Sequence, residues 1–262
     1  MNRKIIIVLI GFILLFGLYH AAEYMIVFKN SPLGFLGFQL LFFVAARLIA
    51  KWQSLPGLAA WGLSGKKYFL KHLLLGMVMG LLLYGLTFMI SILLGAEKIT
   101  LLPEMDAIIG PLSLFIFGNF FSSVSEDILT RGYVYQHLNR KVSNWLLVII
   151  SATIYLLNHI YRLGDGVETY LYLFLLGVMF IIPLILTKRL WFTSGVHWAG
   201  NSFFYLTHEF IKTDTNNTYL SPNYILALVI IFMIPFNYFL LRKFRLINVK
   251  AANSCRFPFP LK

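Results

Sequence analysis

The side chains that could do chemistry sit where so apolar a chain has few polar groups. In "SSVSEDILTRGYVYQHL" two adjacent carboxylates, Glu126 and Asp127, follow a long apolar run, and Arg131 comes four residues after Asp127. A second polar group is "YLLNH", Tyr155 to His159, and a third is "HWAGN", His197 to Asn201. On a helix Asp127 and Arg131 are i,i+4 neighbours able to pair, and Tyr155 with His159 and His197 with Asn201 repeat that spacing. A carboxylate beside an imidazole can take a proton from water. A second imidazole and a side-chain amide can donate to a developing oxyanion. Glu126, His159, His197 and Asn201 therefore describe water attack on an acyl carbonyl: peptide hydrolysis without a covalent intermediate. Two histidines and one glutamate also match the ligand set of a catalytic zinc site, although HExxH is absent and the three residues come from three helices. No Ser or Cys has the GxSxG context of a nucleophile.

The elements that must position these groups are membrane spans. Of 262 residues, 59% are hydrophobic and 12% charged, about half the charged share of a soluble domain. Apolar segments lie near residues 5–28, 32–50, 68–95, 107–127, 144–161, 169–187, 190–210 and 223–241. Each is long enough to cross a hydrocarbon core of about 30 Å as a helix. The reading is an all-α integral membrane protein with about eight transmembrane helices. A charge in such a helix costs roughly 2.5–3.5 kcal/mol on insertion scales, so Glu126 and Asp127 call for a reason. Glu126 and His159 lie about 16 and 17 residues from the polar turn "NRKVSN", which puts both roughly 25 Å from it in an antiparallel hairpin. A carboxylate and an imidazole on neighbouring helices then meet at one depth. His197 reaches that depth only if this hairpin projects roughly 12 Å past the turn before "WFTSG".

The net charge of +12 is explained by where the charges lie and needs no nucleic acid. All basic residues except Lys29, Lys98, Arg162 and Lys212 fall on the side that holds the termini and the even-numbered connections. The acids, Glu126 and Asp127 aside, fall on or near the other side. By the positive-inside rule both termini are cytoplasmic. The first apolar run is too long for a signal-peptide core and reads as an uncleaved span. Connection two, with Trp52, Trp61, Lys66 and Lys67, reads as an interfacial segment. The one cysteine, Cys255 in the tail, permits no intrachain disulfide and no Cys-rich metal site. The organisation expected is helices 1–3 over 1–104, a core of helices 4–7 over 105–210, a last helix within 211–247, and a tail over 248–262.

Each polar group also has a plainer reading. Glu126, His159, His197 and Asn201 could be a buried network joining helices, yet intramembrane hydrogen bonds average only about 0.6 kcal/mol. Asp127 with Arg131 could be a structural salt bridge. Tyr155 reads as packing, and Asn158, about 100° round the helix from His159, as structural. His20 and Glu23 read as groups snorkelling at the outer end of the first span. His72 and His137 read as interfacial, and His208 and Glu209 as the outer edge of the seventh span. Gly195 and Gly200 read as sites of close helix approach.

On "EDILTRG", "YLLNH" and "HWAGN" the chain resembles the CPBP family of intramembrane proteases, which includes the CAAX prenyl endopeptidases and the bacterial Abi-type proteins. The likeness covers roughly residues 105–210. The resemblance implies a CAAX-protease-like helical core in which Glu126 and His159 activate water, His197 and Asn201 stabilise the oxyanion, and Arg131 orients or neutralises the acidic pair. It implies no cofactor, with zinc as the minority view. This chain departs from the family at Asp127, where a second Glu is usual. If that residue only supports its neighbours, activity survives the shortening; if it touches water or substrate, catalysis is at stake. The activity expected is cleavage of a membrane-associated or lipidated peptide or protein in the bilayer, the cell (inner) membrane for a bacterial chain. Two other readings stay open: a non-catalytic regulator or immunity protein of the same fold acting through a protein partner, and a proton-coupled or solute transporter, for which no inverted repeat is evident.

Overall fold

This computed structural model describes residues 3–65, 68–215 and 220–247. The tail with Cys255, and Lys66 and Lys67 of connection two, lie outside the described residues. The chain folds as α1 (Arg3–Val27), α2 (Pro32–Trp52), a 3-10 turn (Gly57–Trp61), α3 (Phe69–Leu93), β1 (Glu97–Leu101) and α4 (Met105–Asp127). A π-helical turn (Ile128–Gly132) carries α4 into α5 (Tyr133–Leu138) without a break. Then come α6 (Asn144–Asn158), a 3-10 turn (Ile160–Arg162), α7 (Val167–Thr187), α8 (Trp191–Tyr205) with a π turn (Leu206–Phe210), β2 (Lys212–Thr215) and α9 (Pro222–Lys243). The bundle is that of an all-α integral membrane protein, with helical segments close to those read from hydropathy.

Six of the described helices are long and apolar enough to cross a membrane, the continuous Met105–Leu138 among them. The other two, α6 and α8, have 15 residues each. At 1.5 Å per residue α6 is roughly 22 Å long, short of the hydrocarbon core, whereas α8 runs on through its π turn to Phe210. The sequence windows 144–161 and 190–210 ran on because residues past the α-helical ends are also apolar. Hydropathy does not register that α6 stops at Asn158 and that α8 widens into a π turn.

Local chemistry sets the helix ends. Ser31 accepts from the Gly34 amide at 3.2 Å with Pro32 as first helical residue, Ser143 caps α6 through Leu146 at 3.3 Å, and Ser221 caps α9 through Asn223 at 3.2 Å. Each supplies a partner to an amide that the helix leaves without one. Connections read as irregular loops pair instead: β1 and β2 run antiparallel, Glu97 opposite Thr215 and Lys98 opposite Asp214. This strap ties the α3–α4 connection to the α8–α9 connection on one face of the bundle.

The helix that carries His197 is held by close backbone packing. A Cβ on Gly76 or Gly80 of α3 would run into the carbonyls of Phe192 or Val196 of α8, and one on Gly195 would meet the Leu73 carbonyl. Small residues let two helices approach where lipid offers no hydrophobic drive. Gly195 and Gly200 thus do what their spacing suggested. Trp61 differs from its interfacial reading: it is fully buried, its indole donates to the Ala46 carbonyl at 3.0 Å, and its ring stacks on Tyr133. The indole is more valuable here as an apolar plug with one satisfied donor than at the headgroups.

Candidate active site

The site lies where α4 ends, α6 stops and α8 passes. Glu126 is the next-to-last residue of α4, and the π turn after it widens the helix and loosens its backbone bonding. Hydroxyls take up the slack: Thr130 Oγ1 donates to the Glu126 carbonyl at 2.7 Å, and Ser151 Oγ from α6 donates to the Thr130 carbonyl at 2.8 Å. The same turn presents Arg131, itself fully buried, to Asp127 as an i,i+4 ion pair. The guanidinium lies over Tyr155 at 4.3 Å and Phe180 at 4.6 Å, a cation–π contact of the sort that gains strength away from water.

Asp127 has no accessible surface and every neighbour it needs. Besides Arg131, it accepts from Ser194 Oγ at 2.8 Å and from His197 Nδ1 at 3.1 Å. It faces the inside of the cluster, not the cavity. The other nitrogen of His197, Nε2, lies 3.4 Å from Glu126 Oε2. Glu126 Oε1 accepts from Asn158 Nδ2 at 3.0 Å and lies 3.8 Å from His159 Nδ1. The equal depths counted from the hairpin turn are met: the two helices bring Glu126 and the end of α6 into contact.

His159 sits at the C-terminus of α6 in non-helical backbone. Its Nδ1 is 2.8 Å from the Tyr155 carbonyl. A carbonyl only accepts, so Nδ1 carries the proton and Nε2 is the free acceptor of the neutral ring. The side chain thus caps the helix that it terminates.

His159, His197 and Asn201 line one cavity of about 180 Å³ together with Tyr84, Tyr155 and Arg162. Glu126, 4% exposed, stands behind the imidazoles. Among the described residues no three His, Cys, Asp or Glu side chains are grouped so as to hold a metal ion.

Two residues belong to this cluster that the sequence reading did not place in it. Asn158 was read as structural from helical spacing, but the helix stops at Asn158, so the 100° rule no longer relates it to His159, and it donates directly to Glu126. Ser194 lies three residues before His197 on the same helical face, a spacing that could have found it. His20 also departs from its snorkelling reading. It is buried, 2.6 Å from Glu23, and in edge contact with Phe16 and Tyr161, so α1 packs against the short segment that follows His159. His72, read as interfacial, is buried as well.

Fold and cluster are those of a multi-pass integral membrane protein with a buried polar group between its helices. Residues 108–203 match the family model described as type II CAAX prenyl endopeptidase Rce1-like. The match covers all three motifs, bears out the resemblance drawn from them, and places this segment with the CPBP proteases. No curated protein and no solved structure matches the chain.

Proposed function

We propose that the chain is an endopeptidase that hydrolyses a peptide bond of a membrane-associated or lipidated peptide or protein, using water activated by Glu126 and His159. The observation that carries this is the convergence of Glu126, Asn158, His159 and His197 from three helices beside a cavity that Asn201 also lines. Four polar groups held together in a bilayer serve stability poorly, given how little each hydrogen bond returns there.

The neutral His159 offers Nε2 to water in the cavity, and the Glu126 carboxylate behind it stabilises the imidazolium that forms when the proton arrives. The hydroxide adds to the substrate carbonyl. The oxyanion accepts from the Asn201 side-chain amide and from His197. His197 suits that role in its doubly protonated form: Nδ1–H donates to Asp127, and the positive charge balances the second of the two buried carboxylates, Arg131 balancing the first. As the tetrahedral adduct collapses, the proton passes from His159 to the leaving amine, giving a carboxylic acid and a free amine. In this scheme Asp127 holds His197 and touches neither water nor substrate, so its replacement of the family's usual Glu is compatible with catalysis.

The test uses purified protein in detergent, wild type beside His159→Ala, with a quenched peptide library read by mass spectrometry. Wild type is expected to cleave and to keep cleaving in chelator, and His159→Ala to lose about 10²- to 10⁴-fold, the usual worth of a positioned acid–base group. Cleavage lost in chelator and restored by zinc would replace this mechanism with a metal-centred one.

A further inference from the structure

An intramembrane hydrolase needs water at a site surrounded by hydrocarbon. If the proposed hydrolysis holds, its second substrate must have a route, and the cavities mark one. A second cavity of about 220 Å³ lies under the β1–β2 strap. It shares four wall residues with the site cavity: Tyr84 of α3, Phe204 of α8, and Asn223 and Leu226 of α9. By contrast, the apolar cavity between α1, α2 and α4 shares none with it.

The strap-side cavity has several polar side chains in its wall. Thr87, Glu97, Thr207, His208 and Thr215 contribute to its wall. Glu97 is buried and lies 3.0 Å from His208 Nε2, and Thr207 Oγ1 lies 2.9 Å from His208 Nδ1. Such groups facing a dry cavity at the membrane edge would be costly, and they are the kind of partners that an ordered water needs. Both cavities are several times the roughly 30 Å³ that one water occupies in the liquid.

Two of the four residues of the partition are aromatic. Phe204 meets Tyr84 edge-on, with ring centroids 6.1 Å apart. On its other side Phe204 stacks on His208 at 4.1 Å and 17°, so the His208–Glu97 pair fixes the Phe204 ring. Asn223 supplies a polar stepping point between the two chambers.

We propose that water reaches His159, His197 and Asn201 from the β1–β2 face, through the chamber walled by Thr87, Glu97 and His208 and past a gate formed by Tyr84 and Phe204. The inference rests on the proposed hydrolysis for its purpose, but its test does not require cleavage.

In a Cys255→Ser background, single cysteines are placed at Thr87 in the outer chamber, at Leu176 in the wall of the inner chamber alone, and at the lipid-facing Met89 as control. Lys98→Cys on the exposed end of β1 marks the strap face in sealed vesicles. A small impermeant methanethiosulfonate added to that face is expected to modify Thr87→Cys and Leu176→Cys and to spare Met89→Cys. Leu226→Trp in the shared wall is expected to slow modification at Leu176→Cys by about tenfold or more and leave Thr87→Cys unchanged. Phe204→Ala is expected to speed it, which keeps the test informative should the Trp variant fold poorly. Modification of Leu176→Cys from the opposite face, no modification of it, or indifference to both gate substitutions would overturn the route. Correct labelling in a protein that cleaves no peptide would instead overturn the hydrolysis and leave the water path standing.

Discussion

Asp127→Asn isolates the charge that the cluster depends on. Asp127 and Arg131 have no accessible side-chain surface, and Asp127 also holds Ser194 and His197. The substitution keeps the shape but leaves Arg131 a buried cation without its counter-charge. Removing one partner of a buried pair costs about 3–5 kcal/mol. The rings of Tyr155 and Phe180 stay over the guanidinium and offset part of this, by up to about 2 kcal/mol for a desolvated contact, so a loss of about 3 kcal/mol is expected. Adding Arg131→Met removes the stranded charge and fills the space with apolar atoms, a replacement that is often neutral. The double variant should therefore be more stable than Asp127→Asn alone, with a coupling of about 2 kcal/mol or more, at the upper end for contacting residues. Unfolding in mixed detergent micelles, followed by circular dichroism, measures all four corners of the cycle. Additive losses, or a single-variant loss below about 1 kcal/mol, would refute the reading of Asp127–Arg131 as the charge anchor of the site.

Three further outcomes follow from the same geometry. Asp127→Glu, which restores the family's usual residue, adds a methylene where there is no free surface and should cost about 1–3 kcal/mol in the same unfolding assay. Asn158→Ala should lower kcat by roughly 10-fold or more and also lower the melting temperature, because it takes from the buried Glu126 carboxylate a donor whose loss costs about 1–3 kcal/mol; turnover on the best library peptide and thermal unfolding read the two effects. Gly80→Leu should force α3 off α8 and lower the melting temperature, since its Cβ would meet the Val196 carbonyl, and overpacking of this kind typically costs about 1–3 kcal/mol.

Much of this was legible in the sequence because a bilayer leaves few options. Backbone groups must be satisfied within helices, so hydropathy located the helices, and the i,i+4 spacings of Asp127 with Arg131 and His197 with Asn201 put on common faces residues that the structure brings together. Counting residues from one turn was enough to bring Glu126 to the end of α6. What escaped were features that helical periodicity does not describe. The early stop of α6 moved Asn158 from a bystander to a partner of Glu126. The π turn after Asp127 brought the Thr130 and Ser151 hydroxyls onto backbone carbonyls. The β1–β2 pairing joined two loops far apart in sequence, and such pairing depends on the tertiary proximity of α3 and α8, not on either loop alone. His20 and Trp61 were assigned to interfaces because amphipathic rings favour headgroups, but buried partners outweighed that preference.

The central claim is that the Glu126 carboxylate, supported by the histidines and Asn158 around it, drives peptide hydrolysis. The most direct measurement compares wild type with Glu126→Gln in lipid vesicles on a single peptide that the wild type cleaves, with equal amounts of folded protein confirmed by circular dichroism. Glutamine keeps the size and the acceptor for Asn158 but removes the charge. A loss of about 10²-fold or more in kcat without loss of fold is predicted. A variant that cleaves at the wild-type rate would contradict the account.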